Sequence, residues 1–281
     1  MLELHHLCLV GSIAPWADAV PLEPVETLDL GGEAWTLARG PNLYLAGQPQ
    51  TAMVGRRPVN AAGIAHLCVQ ARAGDQLVSA LEQADATFLS PPTALGTGFR
   101  YAYGHDASGR LFEVETAPFL PDSPAVWFGH VALVSPDAER LAGYYADFLG
   151  GELIAGGRFR DNRRIDTVAG LKGVEVAVWW VRAGGFALEF WRYDAPPAPV
   201  VESARWYAHI GIETDDLDAA LRGRECSARS EGRDGRQAML RDPAGNAIVL
   251  IELAAAARDR GVSALSGRDV LARVAAARAA S

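Results

Sequence analysis

Lysine is almost missing from this 281-residue chain: Lys172 is the only one, and arginine supplies the other basic residues. With alanine and arginine both frequent, that imbalance reads as genome composition and not as function. Cysteine is scarce as well, with Cys8, Cys68 and Cys226 alone and no CxxC pair. Three thiols cannot all pair within one chain, so a disulfide scaffold is excluded and a reducing cytoplasm is the expected compartment. No stretch of ~18 apolar residues occurs, so no membrane span is expected. The opening Met1-Leu2-Glu3-Leu4-His5-His6 lacks the basic-then-apolar order of a secretory signal. Positive charge is outweighed: a formal net charge of −8 argues against nucleic acid or an anionic membrane as a general partner. What remains is an ordinary globular balance, 49% hydrophobic and 21% charged, too apolar for a disordered chain. The length suits two domains of about 140 residues, or one large one. Glycine and proline, at 29 and 16 residues, exceed their usual share and imply many turns in a strand-rich fold.

The chain repeats itself four times. A histidine stands near the start of an apolar, strand-like run in Leu4-His5-His6-Leu7-Cys8-Leu9-Val10, Ile64-Ala65-His66-Leu67-Cys68-Val69, Phe128-Gly129-His130-Val131-Ala132-Leu133-Val134 and Tyr207-Ala208-His209-Ile210-Gly211-Ile212. The intervals between His6, His66, His130 and His209 are too long for a solenoid repeat and suit a small supersecondary module. After His130, Ser135-Pro136-Asp137 can start a helix over Ala138 to Leu149, with Leu141, Tyr144, Tyr145 and Phe148 at helical spacing and Gly150-Gly151 as the stop. Shorter helices are expected over 76–83, 217–221 and, weakly, 13–19. Each later module ends in a strand entered through a turn: Asp106-Ala107-Ser108-Gly109, Gly184-Gly185 and Asp242-Pro243-Ala244-Gly245-Asn246. The first module is compressed, with strands expected near 26–30, 34–38 and 43–46. The order is therefore β-α-β-β-β four times, with proline-rich joints over 117–124 and 194–199 and a closing amphipathic helix over 267–280.

This organisation resembles the vicinal oxygen chelate superfamily, which includes glyoxalase I, methylmalonyl-CoA epimerase, extradiol dioxygenases, fosfomycin-resistance transferases and bleomycin-binding proteins. The resemblance covers nearly the whole chain. It is carried most specifically by Gly129-His130-Val131-Ala132-Leu133-Val134 with Ala187-Leu188-Glu189-Phe190, and by Ala208-His209-Ile210-Gly211-Ile212 with Arg241-Asp242-Pro243-Ala244-Gly245-Asn246-Ala247-Ile248. It implies an α+β fold in which tandem β-α-β-β-β modules pair into two cup-shaped half-barrels. Residues 1–120 and 124–255 are expected as two paired-module domains, followed by a helical tail over 256–281. It also implies one divalent metal per cup, held by the first strand and the last strand of each paired module.

The first-strand positions are His6, His66, His130 and His209, and the last-strand positions are read as Tyr44, Glu113, Glu189 and Val249. Val249 lacks the expected carboxylate, and Glu252, three residues on, falls on the opposite strand face. Pairing neighbours gives His6, His66 and Glu113, ranked first as a metal triad, and His130, Glu189 and His209. Pairing modules two and three instead gives His66, Glu113, His130 and Glu189, a four-ligand set. Such sets suit Fe(II), favoured here, or manganese, zinc or nickel. Three activities follow from the resemblance. The first choice is an extradiol-type, ring-cleaving dioxygenase acting on a small catecholic substrate, with Tyr103, ten residues before Glu113, hydrogen-bonding the bound diolate. A glyoxalase- or epimerase-type isomerase or lyase is the second. The third is a metal-free resistance protein that sequesters a small molecule. A homo-oligomer is compatible with all three. The bland reading is that duplication copied the histidines and that one or both cups have since lost their metal. Cys8 and Cys68, each two residues past a first-strand histidine, share its strand face.

Overall fold

The computed structural model describes residues 2–17, 19–25, 27–32, 35–48, 55–199 and 206–280. Module one runs β1 (Leu2–Val10), α1 (Ala14–Ala17), β2 (Glu23–Val25), β3 (Thr36–Arg39) and β4 (Tyr44–Gln48). Module two runs β5 (Gly63–Ala71), α2 (Gly74–Gln83), β6 (Thr87–Phe88), β7 (Thr93–Ala94), β8 (Arg100–His105) and β9 (Leu111–Thr116). Module three runs β10 (Val126–Val134), α3 (Ala138–Leu149), β11 (Glu152–Phe159), α4 (Arg163–Ala169), β12 (Glu175–Ala183) and β13 (Phe186–Ala195). Module four runs β14 (Tyr207–Thr214), α5 (Leu217–Ala220), β15 (Ala228–Gly232), β16 (Gly235–Arg241) and β17 (Ala247–Leu253). Two 3-10 turns, Ala255–Arg260 and Val262–Ala264, and α6 (Val270–Ala279) form the tail. The expected first-module strands near 26–30 and 34–38 fall partly on residues 26 and 34, outside the described residues; the strands there are β2 and β3.

Two sheets result, and both belong to the α+β class. One has the order β15-β16-β17-β14-β1-β4-β3-β2, the other β11-β12-β13-β10-β5-β9-β8-β6, with β7 joined to β8. Modules do not pair with their sequence neighbours. Module one shares a sheet with module four through antiparallel β1 and β14, and module two shares a sheet with module three through antiparallel β5 and β10. The expected division into 1–120 and 124–255 as paired halves is corrected by this nesting. Its physical reason lies in the first strands. Each makes a parallel ladder with the last strand of its own module on one side, which leaves the other edge open. In β5 every residue is buried, so an unpaired edge there would strand backbone donors and acceptors away from water.

Alternation along these strands separates two environments. Leu67, Val69, Val131 and Leu133 join Leu77 and Leu81 of α2 and Leu141, Tyr145 and Phe148 of α3 in one apolar cluster that also takes in Leu7 and Leu9 of β1. The intervening residues, His66, Cys68, His130 and Ala132, face the other way, into the curl of the sheet. Helix α3 spans the expected residues and ends at Gly150, whose φ of +63° is cheap only without a Cβ. Ser135 does not cap it; its hydroxyl accepts from Asp137 N at 3.1 Å, and the helix starts two residues after Pro136. Helix α4 was not expected. Its signals are local: the Asn162 side chain accepts from the Arg164 and Ile165 amides, and Gly170 closes the helix at φ +63°. Among the described residues, no helix is long and apolar enough to cross a membrane.

The nested pairing makes a prediction. A fragment of residues 1–120 carries β1 and β5 without β14 and β10, so both sheets keep an open, apolar edge. It should show no cooperative urea transition by circular dichroism and should aggregate. A sharp two-state transition in that fragment would contradict the nested arrangement.

Candidate metal centre

In the sheet of modules two and three, register sets the row of functional side chains. Cys68 on β5 faces Glu113 on β9 and His130 on β10, and His66, two residues earlier, faces Ala132, which in turn faces Glu189 on β13. His66, Glu113, His130 and Glu189 therefore meet on one face of four adjacent strands. Glu113 Oε2 lies 3.1 Å from His130 Nε2 and 3.4 Å from His66 Nε2. Glu189 Oε2 lies 3.1 Å from His130 Nε2 and 3.8 Å from His66 Nε2. All four residues are buried, and one ligand atom from each lies within 4.8 Å of the others.

Three of those atoms, His66 Nε2, His130 Nε2 and Glu189 Oε2, are buried without a hydrogen-bond partner. Buried polar atoms are rarely left so. A tetrahedral ion with ~2.1 Å bonds holds its ligands about 3.4 Å apart, close to the spacing here. Two neutral imidazoles and two carboxylates also sum to −2, which a divalent ion cancels. Without an ion the cluster can balance its charge only by protons. Burial opposes a charge on His130, but Glu189 and Glu113 outweigh it and push its pKa well above the usual value. Burial would likewise raise Glu113, yet His130 and His66 beside it bring it down to about 2. The residues fit a divalent metal.

The walls of this cup are aromatic. The Tyr103 ring, on β8 opposite Glu113, lies 5.0 Å from that of His66, and the Trp180 ring lies 4.9 Å from that of His130. Burial, then the charge of Glu113, holds the Tyr103 phenol well above its ordinary pKa, so it stays protonated. Val168 and Ala169 of α4 pack with Tyr103. Glu115 was missed by the sequence reading, although its place two residues past Glu113 puts it on the same strand face. Gln70 Nε2 donates to Glu115 Oε2, and Trp127 Nε1 donates to Gln70 Oε1 at 2.8 Å. Burial, then Glu113, raises Glu115 to about 7. Cys68, Glu113, Glu115 and His130 form a second group within ligand distance, so Cys68 and Glu115 border the centre.

The other expected ligands lie elsewhere. His6 and His209 belong to the sheet of modules one and four, so His6 does not converge with His66 and Glu113, nor His209 with His130 and Glu189. Both neighbour-pair triads are corrected by the same fact, the nested pairing of first strands. In this second cup Gly211 faces Val249 as Ala132 faces Glu189, and Cys8 faces Ala46 as Cys68 faces Glu113. The last-strand counterpart in module one is thus Ala46 and not Tyr44, which faces His6. Alanine and valine occupy both carboxylate positions. Glu252 does lie on the opposite face, where its carboxylate accepts from Leu217 N at the start of α5 and from Arg236.

Three imidazoles fill the space instead. The His6 ring lies over Gly211, where a Cβ would come within 2.0 Å of it. His6 Nε2 meets His209 Nε2 at 2.9 Å, His5 Nδ1 meets His6 Nδ1 at 2.8 Å, and His5 Nε2 meets the Arg260 carbonyl at 2.9 Å. Burial lowers His5 to about 4 and His209 to about 3, and with the neighbouring imidazoles it takes His6 well below the ordinary value. The row is neutral near pH 7.

Residues 127–250 match a family model described as the Glyoxalase/Bleomycin resistance protein/Dioxygenase superfamily. No curated protein matches the chain. Among solved structures, glyoxalase I from Zea mays superimposes with a TM-score of 0.60 at 16% identity, over 90% of this chain and 92% of that one. A protein of Bacillus subtilis subsp. subtilis str. 168, provisionally named as a dioxygenase, superimposes with a TM-score of 0.60 at 14% identity, over 94% of this chain and 89% of that one. At these identities the likeness is one of fold.

The histidine row predicts a pH dependence. In the unfolded chain His5 titrates near 6.5, and in the folded protein only near 4. Protons therefore favour the unfolded chain, so the His5 contribution is full above about pH 6.5 and is lost as pH falls toward 4. In His5→Phe, the stability lost between pH 7 and pH 5 should shrink by on the order of 2 kcal/mol in urea unfolding. An unchanged loss would contradict a buried, neutral His5.

Proposed function

We propose that this chain, a member of the glyoxalase/bleomycin resistance protein/dioxygenase superfamily, is a divalent-metal enzyme whose working cup is that of modules two and three, acting on a small substrate that offers two neighbouring oxygens. The observation that carries this reading is the convergence of His66, Glu113, His130 and Glu189 with buried, unpartnered ligand atoms. A two-histidine, two-carboxylate set suits iron(II), manganese, zinc or nickel. When bound, such an ion supplies Lewis acidity that polarises the substrate oxygens and stabilises an enediolate-like charge.

The reaction class supported best is a proton shift on the carbon beside a carbonyl, as in an isomerase or epimerase of the glyoxalase type. The geometry favours it over the dioxygenase because the cup offers four ligands, two of them carboxylates. With His66, His130 and one carboxylate holding the ion, the other carboxylate could take the substrate proton and give a proton to the neighbouring carbon from the same oxygen. Glu189 Oε2, which makes no hydrogen bond among the described residues and meets only the two imidazoles, is the stronger candidate for that base. His66 and His130 hold position, and exchange of that carboxylic proton with solvent between the two transfers labels the product.

Ring cleavage is the second reading, and Tyr103 is the observation that favours it. A phenol kept protonated beside His66 can donate to the oxygen of a bound catecholate. Iron(II) would be the metal for that chemistry.

Two measurements test these readings. Metal analysis of anaerobically purified protein should find one divalent ion per chain. Glu113→Gln and Glu189→Gln should each weaken its binding by more than the roughly 10–100-fold that loss of an outer partner costs. His6→Gln should retain it in full. Metal loss from the His6 variant alone would move the centre to the other cup. For the chemistry, solvent-deuterium incorporation into hydroxy-carbonyl substrates should occur and fall at least about 100-fold in Glu189→Gln. Tyr103→Phe should change that exchange by less than about tenfold. Oxygen uptake with catechols that Tyr103→Phe abolishes would replace the isomerase reading with ring cleavage.

A further inference from the structure

The cup of modules one and four still encloses space. A cavity of about 480 Å³ opens against it, within the size range of small-molecule sites. Its wall includes Trp35, Ile64, Met239 and Val249, and its polar side chains include His209 and Gln237 beside Gln48, Ser230 and Asn246. Register places them on one face: Met239 faces Val249, Val249 faces Gly211, and His209 and Gln237 lie two residues from Gly211 and Met239 on the same strand faces.

The hydrogen-bond chains behind those two side chains leave each with a bare acceptor. A carbonyl can only accept, so His5 donates its Nε2–H to Arg260 O. The ring is neutral, so His5 Nδ1 is bare and accepts from His6 Nδ1–H. His6 Nε2 is then bare and accepts from His209 Nε2–H. His209 Nδ1 is left as a lone pair, and among the described residues nothing donates to it. The same logic fixes Gln237. The Ser230 hydroxyl donates to the Leu30 carbonyl at 2.8 Å, so it accepts from Gln237 Nε2 at 3.0 Å. Gln237 Oε1 is consequently the acceptor end, buried and without a partner. An unmet buried acceptor is costly, so Gln237 Oε1 calls for a donor from outside the protein, and the His209 Nδ1 lone pair offers a second acceptor. The bordering arginines are engaged: Arg229 pairs with Asp218, and Arg241 donates to the Gly245 carbonyl. Among the lining side chains, His209 and Gln237 offer these two acceptors.

We infer that this metal-free cup is a second binding site, for an aromatic molecule bearing hydroxyl or N–H donors, with the ring against Trp35, Met239 and Val249 and the donors on His209 Nδ1 and Gln237 Oε1. The ligand enters by shape and hydrogen bonding and needs no ion. The inference is independent of the reaction assigned to the other cup.

The test uses the full chain and two probes with the same ring system, 2-naphthol and 2-methoxynaphthalene, followed by calorimetry and ligand-observed NMR. The naphthol should bind at least about tenfold more tightly than its methyl ether, which has no donor, the difference expected for one hydrogen bond to an otherwise unmet group. Gln237→Leu should narrow that preference to less than about threefold without loss of fold. Met239 is 36% exposed, so Met239→Trp should fold and fill the cavity, and it should abolish binding of both probes. Equal affinities for the two probes, binding that survives Met239→Trp, or no binding of 2-naphthol up to its solubility limit would each overturn the proposal.

Discussion

The antiparallel ladders β1–β14 and β5–β10 are the constraint on which the chemistry depends. Each first strand carries its histidine on the curled face of its sheet, so whichever two first strands pair decides which two imidazoles share a cup. Pairing β5 with β10 puts His66 within reach of His130, and the parallel neighbours β9 and β13 deliver Glu113 and Glu189 from either side. A different partner for β5 would separate the two glutamates from one another. The two-residue alternation of the same strands sends Leu67, Val69, Val131 and Leu133 into the apolar cluster under the helices. Core and centre are thus two faces of one set of hydrogen-bonded strands, and the cost of leaving those strands unpaired holds the ligand set together.

The two cups share one backbone plan and differ in chemistry. In one, two carboxylates face two imidazoles, and the buried charge is −2 until a cation or protons balance it. In the other, Ala46 and Val249 stand at the carboxylate positions. With no carboxylate at either of those positions, its two imidazoles hydrogen-bond directly at 2.9 Å, and the tail closes in from behind through the Arg260 carbonyl and the apolar Ala257, Val262 and Leu265. Without carboxylates at those positions this cup is neutral and partly apolar. Gly211 is the small feature that lets this happen, because the His6 ring occupies the volume of its absent side chain.

Much of this was legible in the sequence, and the part that was not has a physical reason. The four modules, their helix and turn signals and six candidate ligands could be read because local rules produce them: Gly150 stops α3 at the expected residue, and Asp106 and Asp242 each bond the amides two and four residues on. Pairing could not be read so directly. The first strands of all four modules are similar apolar runs, and nothing within seven residues says which edge meets which. The four-ligand set was visible only as one alternative, and the neighbour pairing put His6 with His66 and Glu113 instead. The choice of Tyr44 as a last-strand position failed for a related reason, since in the compressed first module the turn that sets the register lacks the Asp-Gly signal of modules two and four. Ala46, having no chemistry of its own, gave no sign of its place. Glu115 was overlooked because it has no counterpart in the other modules, although its spacing from Glu113 was enough to place it.

The most direct test of the central claim is anomalous diffraction from crystals grown with a divalent transition metal, collected on both sides of its absorption edge. The account predicts one strong peak per chain, within bonding distance of His66 Nε2, His130 Nε2, Glu113 and Glu189, and none between His6 and His209. A peak between His6 and His209, or no peak among the four side chains at saturating metal, would contradict it.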